Sequence, residues 1–198
     1  LGGSGYDWVM LDTEHAPNDV PQVMAQLQAL DAARQPRPTS AVVRPAWNDP
    51  VLIKRYLDIG AQTLLLPFVQ NAQEAQAAVD AMRYGPVGIR GMGGSTRASN
   101  FGRDGAYIAD AHRELCLLVQ VETQQALGQI EAIAAVDGVD GIFIGPADLS
   151  ASMGYPGQMR HPEVDAAINQ AIVRIRAAGK APGILMVDEA RARECIAL

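Results

Sequence analysis

The strongest constraint on this chain is the way its strand-like apolar runs close. WVMLDTEH ends in Asp12, Glu14 and His15, AVVRP ends at Arg44, LLVQVET ends in Gln120 and Glu122, and GIFIGPAD ends at Asp148. Each run opens with hydrophobic residues and closes with groups that bind a cation, move a proton or hold an anion. Polar chemistry at the carboxyl ends of successive parallel strands is how an α/β barrel presents an active site. The pattern reads as an enzyme, and its paired carboxylates read as a metal-dependent one.

Between these runs lie helical segments. Strands are expected at 7–12, 41–44, 63–69, 115–121, 140–144 and 182–187, with helices at 19–30, 50–60, 72–83, 106–113, 124–135 and 162–178 and a last one from Asp188. Asp49 with Pro50 at the first helical position is a capping signal, and Asn71 with Glu74 three residues on resembles a capping box. A Pro-rich loop, QPRPTS, precedes the second strand. A glycine-rich segment, GPVGIRGMGGSTRASNFGRDG, is the one long irregular stretch. It lacks the Lys-Ser/Thr of a phosphate-binding loop, which leaves a lid and a binding site open.

Runs such as TLLLPFV and GILMV are continuously apolar, as strands covered on both faces are. No break in composition divides the chain, so residues 1–198 read as one domain. A (β/α)8 TIM barrel usually needs about 250 residues. Six strands in 198 residues therefore read as an α/β barrel lacking its first and last strands. The opening LGGSGYDW resembles mid-chain sequence, and DEARARECIAL stops inside a helical pattern. An open doubly wound sheet is the alternative, but no Gly-rich dinucleotide turn follows the first strand.

The formal net charge of -6 argues against nucleic acid as a partner. No apolar stretch has transmembrane length, so no membrane partner is expected. Cys116 and Cys195 form no disulfide framework and no zinc spacing, which fits a cytoplasmic location.

Glu122 and Asp148 close consecutive strands, and neighbouring strand ends lie about 5 Å apart. Two carboxylates without cysteine or histidine suit a hard cation such as Mg²⁺ or Mn²⁺. The plainer alternative is a turn-capping Asp148 and a Glu122 paired with arginine. Asp12 could orient His15 as a general base, or His15 could be a surface histidine in a turn, as His112 and His161 are expected to be. Glu14 could be a third functional group or an orienter of the others. Arg44 could grip a substrate carboxylate and developing negative oxygen, or pair with a nearby acid. Gln120 shares strand parity with Glu122, and IGPADLS offers small residues and backbone amides beside Asp148. The only lysines, Lys54 and Lys180, are not placed to form a Schiff base with a carbonyl substrate.

Taken together, GYDWVMLDTEHAPND, VVRPAWNDP, LDIGAQTLLLPFVQNAQEA, GIRGMG, LVQVET, DGVDGIFIGPADLSASMGYPG and KAPGIL resemble the HpcH/HpaI aldolase family across nearly the whole chain. The resemblance implies a class II barrel aldolase that uses Mg²⁺, Mn²⁺ or Co²⁺ and the enolate of pyruvate. It implies retro-aldol cleavage of 4-hydroxy-2-oxoheptane-1,7-dioate to pyruvate and succinate semialdehyde. A 2-dehydro-3-deoxyglucarate-type sugar acid is the alternative substrate, and an inactive barrel fragment is the alternative from another class. His15 matches the family's base, Arg44 its transition-state stabiliser, and Glu122 and Asp148 its metal ligands. Gln120 and Ala147 match groups that bind pyruvate, with Gly145, Pro146 and Asp148 beside them. Asp58 matches an aspartate that raises the basicity of the histidine, from a neighbouring subunit because it follows a helix. The partners implied are a small 2-oxo acid, an aldehyde and further copies of the chain, as a hexamer.

Overall fold

The structure, a computed structural model, describes residues 1–33 and 37–198. Residues 34–36, which include the start of the expected Pro-rich loop, lie outside the described residues. In chain order the first elements are β1 (Trp8–Asp12), α1 (Val20–Ala32), β2 (Ser40–Arg44), α2 (Pro50–Asp58), β3 (Thr63–Leu66), α3 (Ala72–Met82) and α4 (Tyr107–Glu114). Then come β4 (Cys116–Val121), α5 (Gln124–Leu127), α6 (Ile130–Ala134), β5 (Gly141–Ile144), α7 (Pro146–Ser152), α8 (Pro162–Ala177), β6 (Ala181–Ile184) and α9 (Glu189–Ala197). This is an α/β fold. It packs as two compact units, Leu1–Pro67 with Ala77–Leu117, and Phe68–Gln76 with Leu118–Leu198.

In the first unit β1 pairs in parallel with β2 from Trp8↔Ser40 to Asp12↔Arg44, and β2 pairs with β3 at Val42↔Thr63 and Val43↔Leu64. Leu64, Leu65 and Leu66 are all buried, which explains a run that is apolar at every position rather than at every second one. The expected capping of α2 is present: Asp49 Oδ1 accepts from the N–H groups of Val51 and Leu52, both at 2.9 Å. From that cap α2 runs back from the carboxyl end of β2 and stops at Asp58, before the amino end of β3. A helix of nine residues spans about 13 Å.

In the second unit β4, β5 and β6 are parallel, with Val121↔Ile144 and Ile144↔Ile184 in register. All four residues of β5 are buried, and α8 packs on β5 and β6. Gly183 is required here, because a Cβ would stand 2.5 Å from Cδ2 of the Phe143 ring on the neighbouring strand. Asn71 Oδ1 accepts from the Glu74 N–H at 2.9 Å, while the Glu74 carboxylate reaches back to the Gln70 N–H at 2.7 Å. The expected box is thus made, one residue wider than drawn.

Three expected elements depart most from their bounds. β3 ends at Leu66 rather than at residue 69, because Pro67 follows and Phe68 takes φ +57°. The helix expected over 124–135 is broken into α5 and α6 around Gly128. The strand expected over 182–187 ends at Ile184, where its partner β5 also ends. IGPADLS, expected to offer small residues and backbone amides beside Asp148, opens α7, with Gly145 as N-cap and Pro146 at the first helical position.

Candidate active site

Asp12 and Arg44 stand directly opposite each other at the carboxyl ends of β1 and β2. The guanidinium spans the carboxylate as a fork, Nε to Oδ1 and Nη2 to Oδ2, each at 2.8 Å. Its Nη1 lies 3.1 Å from Glu14 Oε2. One arginine therefore sits between two carboxylates, and all three side chains are largely buried. Burial alone would raise the Asp12 carboxyl pKa. The Arg44 hydrogen bonds and charge and the backbone N–H groups of Glu14 and His15 outweigh it and hold that pKa below the usual carboxylate range.

The strand ends are locked from behind. Thr13 Oγ1 donates to the Arg44 carbonyl at 2.8 Å, and the Tyr56 hydroxyl of α2 donates to Thr13 Oγ1 at 3.0 Å. Asn18 Nδ2 holds the Asp12 carbonyl at 3.0 Å. Thr13, Tyr56 and Asn18 were not singled out from sequence. A threonine next to Asp12 carries no signal of its own until the strand register is known.

His15 lies just beyond, with its side chain 66% exposed and its Nε2 3.7 Å from Glu14 Oε2. The expected pairing of Asp12 with the imidazole gives way to a different one. Arg44 claims both Asp12 oxygens because it lies in register with Asp12, and the carboxylate beside the imidazole is Glu14. Asp58 is distant from this cluster within its unit, at the far end of α2. There Arg90 Nη2 donates to Asp58 Oδ1 at 2.8 Å. The Arg90 side chain is fully buried, lies 4.4 Å over the Tyr84 ring and donates to the Tyr107 hydroxyl at 3.2 Å. Burial works to lower the Arg90 pKa, but the hydrogen bonds to Asp58 and Tyr107 raise it above its ordinary value. Arg90 is one anchor of the glycine-rich segment, and Arg97, which donates to the Ile59 carbonyl at 2.9 Å, is another.

The second unit carries the other group of residues. Glu122, one residue past β4, is 1% exposed. Its Oε1 accepts from the Phe68 N–H at 2.8 Å and its Oε2 from Gln120 Nε2 at 2.7 Å. Gln120, expected to meet the substrate, is thus in contact with Glu122. Gly145 follows β5, and its N–H donates to the Val121 carbonyl at 3.1 Å. A Cβ there would stand 2.6 Å from Glu122 Oε2 and 2.8 Å from Glu122 Cβ. Only glycine lets α7 start this close to the glutamate. Pro146 is buried, while Ala147 and Asp148 are exposed in the first turn of α7.

Among the described residues no cluster of three His, Cys, Asp or Glu side chains forms a closed metal cage. The donor set of Glu122 and Asp148 instead fits a hard cation that keeps water and substrate oxygens in its other positions. A carboxylate oxygen has two lone pairs, so accepting one N–H is compatible with ligating a cation. The close approach at Gly145 brings the start of α7 to that carboxylate. Lys180 is remote from it, since its Nζ donates to the Val139 carbonyl at 2.6 Å, before the amino end of β5.

The family model of HpcH/HpaI aldolase/citrate lyase matches residues 1–198. The chain is 60% identical over 195 residues to a pyruvate aldolase of Rhizobium etli, covering 98% of this chain and 75% of the relative. It is 57% identical over 199 residues to a 4-hydroxy-2-oxo-heptane-1,7-dioate aldolase of Salmonella paratyphi B, covering 100% and 74%. A crystal structure of an HpcH/HpaI aldolase/citrate lyase family protein from Burkholderia cenocepacia superposes with a TM-score of 0.93 at 42% identity, covering 98% of this chain and 76% of that one. The chain is a carbon–carbon lyase and belongs to the HpcH/HpaI aldolase/citrate lyase family.

Proposed function

We propose that this chain is a divalent-metal-dependent aldolase that cleaves 4-hydroxy-2-oxoheptane-1,7-dioate to pyruvate and succinate semialdehyde. The observation that carries the reading is the buried Glu122 carboxylate, held on both oxygens beside the start of α7, which bears Asp148. The names of the R. etli and S. paratyphi B relatives support the substrate. Family membership is what joins the two groups of residues in one reaction. The alternation of parallel strands with helices supports the (β/α)8 barrel as the parent architecture. A cytoplasmic homo-oligomer, a hexamer by resemblance, completes the reading.

Glu122 and Asp148 would hold Mg²⁺, Mn²⁺ or Co²⁺. When bound, such an ion supplies Lewis-acid polarisation of a carbonyl oxygen. Gln120 and the Gly145–Pro146–Ala147 turn would contact the 2-oxo acid end. His15 accepts the proton of the C4 hydroxyl, with Glu14 as the carboxylate partner of its imidazole. The C4–O bond becomes a carbonyl, the C3–C4 bond breaks, and its electron pair stays on C3. Arg44, held in place by Asp12, stabilises the negative charge that spreads to the 2-oxo oxygen. Protonation at C3 completes pyruvate.

The test is pyruvate release from 4-hydroxy-2-oxoheptane-1,7-dioate after EDTA treatment and after restoring Mn²⁺. Activity should vanish and return. Full activity in EDTA would reject the metal. Cleavage of 2-dehydro-3-deoxyglucarate alone would keep the chemistry and move the substrate to the sugar acids.

A further inference from the structure

Phe68 adopts a backbone conformation that its residue type disfavours. Its φ of +57° lies in the left-handed region, where a Cβ crowds the neighbouring carbonyl oxygen. A bulky residue holds this strained conformation only where the surroundings over-determine it. Here the surroundings are specific. Pro67 is buried, the Val69 N–H donates to the Gln120 carbonyl at 3.0 Å, and the Phe68 N–H donates to Glu122 Oε1 at 2.8 Å. The turn that ends β3 thus aims two successive amides at β4 and the residue after it. One holds the backbone at residue 120, and the other holds the carboxylate at residue 122.

Glu122 needs such a hold. Its carboxylate is buried, one oxygen is already fixed by Gln120, and the Gly145 side leaves no room for a shift. The Phe68 amide fixes the remaining oxygen, and with both oxygens fixed the plane of the carboxylate is set. Groups that orient a metal ligand from behind typically change metal affinity by about 10–100-fold when removed. We propose that Phe68 is a positioning residue for the cation site, acting through its strained backbone amide on Glu122. The inference rests on the metal reading of Glu122 and Asp148. It goes further by assigning a strained apolar residue, with no ligating atom in its side chain, to the tuning of that site.

The test replaces the Phe68 N–H alone, by incorporating the α-hydroxy acid analogue of phenylalanine at position 68 so that an ester stands where the amide was. Mn²⁺ binding is followed by the EPR signal of free and bound ion. The ester chain should bind Mn²⁺ about 10-fold or more weakly, with an altered bound-ion spectrum. Phe68→Gly keeps the N–H and tolerates the left-handed backbone, so it should bind Mn²⁺ within about threefold of the unmodified chain. Equal affinity and spectrum for ester and amide chains would overturn the proposal. Loss of binding in Glu122→Gln with none in the ester chain would overturn it while leaving the metal reading intact. Absence of Mn²⁺ binding by the unmodified chain would overturn both.

Discussion

The fork between Asp12 and Arg44 fixes an arginine that would otherwise have several rotamers, and it does so at the carboxyl ends of β1 and β2. The Asp12 carboxyl is held below the usual range despite its burial. A depressed folded-state pKa gives stability that is present above the unfolded value of about 3.9 and is lost as pH falls through the folded one. Asp12→Asn should therefore be less stable at pH 7 by about 1.5–3 kcal/mol, the range for hydrogen bonds to charged groups. Urea unfolding at several pH values checks this: the difference between the two chains should shrink below about pH 4, and a constant difference would remove Asp12 as its source. Gly145→Ala tests the other group. The added Cβ meets Glu122 at both Oε2 and Cβ, and a glutamate pinned by two donors cannot yield. Cleavage should fall by about 100-fold, the scale of a misplacement of about 1 Å, while circular dichroism stays unchanged. An undiminished rate would show that the approach at Gly145 does not bear on the chemistry.

At the scale of elements, what could be read from the chain alone was whatever its local chemistry dictates. The Asp49–Pro50 entry and the Asn71–Glu74 box were legible because capping uses near neighbours, and both are made in the structure. The left-handed Phe68 was not legible, because neither its residue type nor its neighbours announce a positive φ. Nor was α7, since seven residues behind a glycine N-cap are too few to show a helical period. The Asp12–Arg44 fork was hidden for another reason. Sequence separates the two residues widely, and only the register of β1 on β2 sets them face to face. The same holds for Arg90, which lay in a segment read as a lid or a binding loop and proves to be buried against Asp58, Tyr84 and Tyr107. Breaking a buried ion pair by removing one partner typically costs about 3–5 kcal/mol. Arg90→Ala should lose about that much in urea unfolding, because the Asp58 carboxylate would lose its partner. Arg90→Ala with Asp58→Asn should recover part of the loss. Additive losses would mean the two residues are not coupled.

Across the whole chain the scarcity of lysine bears on mechanism as much as the placement of the acids does. An aldolase can activate a 2-oxo acid through a lysine Schiff base or through a Lewis acid, and the two leave different chemical traces. Only Lys54 and Lys180 are available. Lys54 lies midway along α2 in the first unit, with its side chain against Gly91. Lys180 stands at the amino end of β6 in the second unit, with its ammonium on the Val139 carbonyl, whereas Glu122 and Asp148 follow the carboxyl ends of β4 and β5 in that same unit. A Schiff base also needs a lysine amine that can reach the substrate carbonyl, whereas the Lys180 Nζ is engaged with the Val139 carbonyl. Borohydride reduction in the presence of pyruvate should therefore leave the mass of the chain unchanged and its activity intact, while EDTA abolishes that activity. A pyruvate-sized increment on Lys54 or Lys180 by mass spectrometry, together with loss of activity, would reverse that assignment. The carbonyl would then be activated by an amine, and Glu122 and Asp148 would need another role.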